Sequence, residues 1–66
     1  MDGTKRQNIA IGDLVKIVLK KDQQIGRLTE GYVKEILTKF PQHHHGIKVR
    51  LETGEVGRVK EIFKVL

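Results

Sequence analysis

The chain has no cysteine, no serine and no tryptophan, one proline, and only three aromatic residues, Tyr32, Phe40 and Phe63. Without cysteine there is no disulfide staple, so the fold must rest on one compact apolar cluster or on a partner, and a reducing compartment is compatible with it. Without serine or cysteine the commonest side-chain nucleophiles are missing. The acids are scattered among lysines with no paired set, so no catalytic constellation is present and no enzymatic activity is expected. No apolar run approaches the roughly 18 residues of a membrane span, and the polar start has no signal-peptide core, which makes the cytoplasm the expected compartment and a membrane no partner.

So few rings also exclude ligand classes. A methyl-lysine cage or a proline-peptide groove needs an aromatic-lined surface, and three aromatics do not line one and fill a core as well. Phe63 is expected in the core. Tyr32 and Phe40 are read first as packing residues and only then as one small platform for stacked bases.

What the chain does have is charge. Thirteen Lys and Arg stand against eight Asp and Glu, a formal net charge of +5 on 66 residues. Such an excess attracts polyanions, although the same value also serves solubility alone. A chain of this length makes one domain and buries only roughly 60% of the surface its unfolded form exposes, which leaves no room for a deep enzymatic cleft or a small-molecule substrate.

The clearest structural signal lies between residues 46 and 59. Ile47, Val49 and Leu51 alternate with Lys48, Arg50 and Glu52, and a period of two places the first set inward and the second outward. Thr53 and Gly54 supply a two-residue hairpin connection, with the glycine taking positive φ. Val56 and Val59 then return to the core. Upstream, Leu14 to Leu19 is a β-branched run with Val15, Ile17 and Leu19 on one face. Its other face, Leu14 and Val18, calls for cover from barrel curvature or from the segment of Ile9 and Ile11.

Residues 20–27 form a polar loop. The strand expected over 28–37 changes phase, since Val33 and Ile36 are three apart, and a β-bulge is predicted near Lys34 and Glu35. A helix over 32–40 competes, but Gly31, Val33, Ile36 and Thr38 argue against it. After the hairpin, a helical turn at 59–61 and a short closing strand would bring Ile62 or Phe63 inward. The expected architecture is all-β: residues 1–8 a flexible tail, and residues 9–66 a single five-stranded, partly open barrel. Val15, Ile17, Val33, Ile36, Ile47, Val49, Leu51, Val56, Val59 and Ile62 form its expected core.

Two resemblances sharpen this. Gly12, Asp13, Val15 and Ile17, followed by Gly31, Val33 and Ile36, resemble the KOW motif of ribosomal and transcription-elongation proteins, which implies an SH3-like barrel and an RNA partner. Leu19 and Lys20 stand where that motif turns on a glycine, and no contact residue is carried over from it. A second resemblance covers nearly the whole chain. Val-Leu-Lys-Lys-Asp-Gln at 18–23, Leu-Thr-x-Gly at 28–31, Ile-Leu-Thr at 36–38, His-Gly-Ile-Lys-Val-Arg-Leu-Glu at 45–52 and Gly-x-Val-Gly-Arg-Val at 54–59 look like the YwbE family of small bacterial proteins, which has no assigned activity.

The candidate site is the set of outward cations. Lys48 and Arg50 share a strand face, Arg58 should meet them across the hairpin, and Lys16, Lys20, Lys21 and Arg27 would extend the patch from the first strand and the loop. Such groups neutralise phosphates without reading bases, so the expected partner is nucleic acid, RNA ahead of DNA, with docking on a protein complex as the alternative. Glu52 and Glu55 flank the turn and are placed to pair with Arg50 or Arg58. His43, His44 and His45 suggest a metal, but without Cys or a nearby carboxylate pair they make an incomplete set, so neither a metal nor another cofactor is expected.

Overall fold

The computed structural model describes residues 3–63. Its core elements are four antiparallel strands: β1 (Leu14–Leu19), β2 (Thr29–Ile36), β3 (Lys48–Leu51) and β4 (Val56–Phe63). Each pairs with the next and β4 pairs back to β1, which closes a small barrel. The expected all-β class holds, but the barrel is closed and has four strands among the described residues where five in a partly open barrel were expected. One-turn 3₁₀ segments at Arg6–Asn8 and Lys20–Asp22 are the only helical elements among the described residues, and no helix is long and apolar enough to cross a membrane.

Alternation explains the interior. Val15, Ile17, Val33, Ile47, Val49, Leu51, Val59 and Ile62 are buried in one cluster with Ile9, and Leu19 and Ile36 pack against it. Burying such a side chain is worth about 1.5–3 kcal/mol, so this cluster is the main source of stability in a chain without cross-links. Ile9 joins it because the segment before β1 is held by Gly12 and Val33: Gly12 N donates to Val33 O at 2.7 Å, and Val33 N to Asp13 O at 2.9 Å. Ile11, on the same segment, stays exposed.

The phase change in β2 is absorbed as predicted. The β2–β3 register shifts between Val33 and Glu35, leaving Lys34 as the extra residue. Glu35 consequently lies opposite Arg50 and Ile36 opposite Val49. The strand reading of this segment therefore stands over the helical one.

Four expectations are corrected. The hairpin connection has three residues: Gly54 N donates to Leu51 O, Leu51 N donates to Glu55 O, and Gly54 sits at φ 96°. That is a tight turn followed by a glycine bulge. A two-residue turn would set Leu51 opposite Val56, whereas the observed one sets Arg50 opposite Val56 and turns Val56 to the outside.

The second correction concerns 59–61, where β4 runs on without a helical turn. Its pairing to β1 skips Lys60, since Lys16 faces Glu61 and Ile17 faces Val59, so a bulge brings both Val59 and Ile62 inward. Phe63 then faces outward and is exposed, as are Tyr32 and Phe40. The separate closing strand expected to carry Ile62 or Phe63 is not formed through Phe63, since both residues continue β4; residues 64–66 lie outside the described residues.

The third concerns residues 3–8 of the expected tail, which are docked. Ile47 N donates to Gly3 O, His43 N to Thr4 O and Arg6 N to Pro41 O, all at 2.8 Å, and Arg6 Nε donates to Thr38 O at 3.0 Å. The fourth concerns Val18, which is buried, as its face was expected to be, but lies against the connection after β1 and not the segment of Ile9 and Ile11.

Candidate nucleic-acid interface

The β3–β4 register places Lys48 directly opposite Arg58, and the β1–β4 register places Arg58 directly opposite Val18. Side chains so paired lie about 4.5–5.5 Å apart at Cβ, so Lys48, Arg58 and Val18 form one row across three strands. The connection after β1 folds back over the end of this row. Lys20 and Gln23 close one cleft of about 470 Å³ with Lys48, Val56 and Arg58, while Gln23, Gly26 and Leu28 close another of about 550 Å³ with Arg58, His45 and Lys60. Val18 lines both and is itself buried.

The loop before β3 is tied to the same row. Arg58 Nη1 donates to Gly46 O at 3.3 Å and Lys60 Nζ to His45 O at 3.0 Å. Gly46 takes φ 102°, and a Cβ there would stand 2.4 Å from Val59 O, so only glycine lets the loop pass this close to β4. Beyond it the three imidazoles gather: His43 and His44 stack at 5.2 Å between centroids with planes 5° apart, and His44 and His45 approach to 4.0 Å. His45 N donates to His43 Nδ1 at 3.2 Å. Desolvation, and then the charges of Arg58, His44 and His45, hold His43 below the usual imidazole range. Among the described residues no group of His, Asp or Glu is arranged to hold a metal ion.

Of the expected cations, Lys48, Arg58 and Lys20 converge. Lys21 and Arg27 are exposed on the same connection but line neither cleft. Arg50 points outward one pair further along and is engaged: its Nη1 donates to Glu35 Oε1, the carboxylate that the β2 bulge sets opposite it. Glu55, an expected partner of these arginines, instead accepts from Thr53 Oγ1 at 2.8 Å. Lys16, also outward, lies between Glu30 and Glu61, with its ammonium 4.0 Å from Glu61 and 5.6 Å from the Phe63 ring centroid. No carboxylate pairs with Lys20, Lys48, Arg58 or Lys60 among the described residues.

Lys60, Gln23 and His45 were missed by the sequence reading. For Lys60 a signal existed: Val59 and Ile62 are three apart, the spacing that located the bulge in β2, and one residue between them had to be extra. For Gln23 and His45 there was none, because loop closure over Val18 follows from no periodic pattern.

The chain belongs to the family described as "Uncharacterized conserved protein (DUF2196)", whose profile matches residues 2–62. It is similar to "Uncharacterized protein YwbE" of Bacillus subtilis (strain 168), with 56% identity over 62 residues, 94% of this chain and 95% of that one. The resemblance to the YwbE family is thus shown. No solved structure matches the chain.

Proposed function

We propose that this member of the family is a small nucleic-acid-binding module of SH3-like design that works in the cytoplasm and holds RNA, in preference to DNA, on the face built from Lys48, Arg58, Lys60 and Lys20. The observation that carries this reading is the sorting of cations: Lys16 and Arg50 are each met by a carboxylate, whereas these four gather around two clefts with none. Four cations without counter-charges on so small a surface concentrate the positive potential that a net charge of +5 provides. Contacts of this kind neutralise phosphates and release counterions, which gives affinity with little sequence preference. Gln23 is the one amide side chain lining these clefts, so base-edge recognition is slight. Affinity is expected at roughly 10⁻⁴–10⁻⁶ M at physiological salt.

Fluorescence anisotropy of labelled single- and double-stranded RNA and DNA at two salt concentrations tests this. Binding that weakens steeply with salt and differs little between sequences supports it; absence of binding at low salt refutes it.

A second reading, docking on a protein complex, draws on another observation. Phe63 and Tyr32 lie opposite Leu14 from either side, so an apolar row crosses β4, β1 and β2 on the outer surface, with both rings exposed. Recovery of partners from lysate with and without nuclease separates the two: partners lost on digestion favour nucleic acid, and partners retained favour the adaptor.

A further inference from the structure

The larger cleft differs from a bare patch of positive charge. It is lined by the apolar side chains of Val18 and Leu28, by Arg58, Lys60 and His45, and by Gln23 of the connection after β1. No carboxylate lines it. Its volume of about 550 Å³ falls within the roughly 300–1,000 Å³ of small-ligand sites.

The cationic lining is preorganised. Arg58 and Lys60 each spend a donor on the carbonyls of Gly46 and His45, which fixes two long side chains that would otherwise lose rotamer freedom on binding. A guanidinium has five N–H donors and an ammonium three, so both retain donors for an anion. A simple inorganic anion would use these cations and leave the apolar lining bare. A ligand that uses both carries a phosphate on one side and a flat, largely apolar group on the other.

We infer that this cleft is a subsite for a single nucleotide unit, with the phosphate received by Arg58, Lys60 and His45 and the base or ribose laid against Val18 and Leu28. The inference rests on the nucleic-acid reading of the face and gives it a specific seat.

The test is amide-resolved NMR titration with the RNA dinucleotide ApA, whose single phosphodiester lies between two nucleosides. Adenosine and dimethyl phosphate serve as the two halves of the ligand. ApA should move the amides of Gln23, Gly26, Leu28, His45, Arg58 and Lys60, with either half moving them less at the same concentration. Arg58→Ala, which removes a phosphate donor, and Gln23→Glu, which sets a carboxylate in the cleft, should each weaken ApA binding by about twofold to fivefold, the worth of one exposed charge pair. Equal shifts from dimethyl phosphate, or ApA binding unchanged in both variants, would overturn the nucleotide subsite. If ApA leaves the cleft amides unmoved while longer RNA still binds in a salt-dependent way, the subsite is wrong and the cationic-face reading stands. If neither binds, both fall.

Discussion

Two sets of outward cations on the same small barrel are put to different ends. In one, Lys16 sits between Glu30 and Glu61, and Arg50 sits on Glu35, so each positive charge is answered locally. In the other, Lys48 and Arg58 face each other across β3 and β4, with Lys20 and Lys60 nearby and no carboxylate among them. Opposing like charges on neighbouring strands is unfavourable by itself. A fold that tolerates this row, while meeting Lys16 and Arg50 with carboxylates, holds a surface suited to an external anion. Net charge alone does not reveal this, since +5 is compatible with either arrangement.

The largest effect is expected from breaking the register that makes the row. Gly57 lies beside Arg58 on β4, and a Cβ there would stand 2.4 Å from Val18 O. Gly57→Ala should therefore cost about 1–3 kcal/mol, the usual cost of overpacking. At about 4–8 °C per kcal/mol for a domain of this size, thermal unfolding should shift accordingly. A melting curve unchanged from wild type would show that the close approach is not constraining.

A smaller effect sharpens the comparison from the balanced side. Glu35→Gln frees Arg50 and should raise RNA affinity slightly, with the log–log salt slope steepening by less than about one unit, because one further phosphate contact becomes available. Stability should change by no more than about 0.5 kcal/mol, since the pair is solvent-exposed. Salt titrations of binding and denaturant titrations of stability check the two halves.

The smallest effect concerns His43. Its folded-state pKa is held below the unfolded value, so the unfolded chain binds more protons; the free protein is therefore expected to lose some stability as pH falls through the unfolded value toward the folded one. His43→Gln should flatten that part of the stability–pH curve. A curve of the same shape in the variant would remove His43 as the cause.

These expectations also mark what the sequence could disclose. Alternation along 47–51 and the three-residue spacing of Val33 and Ile36 are local patterns tied to side-chain period, and they located the core strands and the β2 bulge. The pairing of Arg50 with Glu35 is a consequence of that bulge, but it becomes visible only once β2 and β3 are set in register. Val56 was assigned inward because the turn was read one residue too short, and a one-residue slip reverses every facing. The docking of residues 3–8 rests on backbone hydrogen bonds to Ile47, His43 and Pro41 and on an arginine side chain, none of which leaves a periodic trace. The cationic strand residues were thus legible individually, while the clefts they line depended on loops that fold over Val18.

The most direct measurement of the central claim compares two variants that remove charge from the two sets: Lys48→Ala/Arg58→Ala/Lys60→Ala, and Lys16→Ala/Arg50→Ala. Anisotropy with labelled single-stranded RNA across a salt series, with the fold of each variant checked by its NMR spectrum, gives both affinity and slope. The triple variant should bind at least about tenfold more weakly and lose about two units of slope, at roughly 0.7 for each of its three phosphate contacts with a single strand. The double variant should stay within about threefold of wild type, since its charges are already answered by carboxylates. Equal losses in the two variants would contradict the account, because binding would then follow net charge and not the sorting of cations between the two sets.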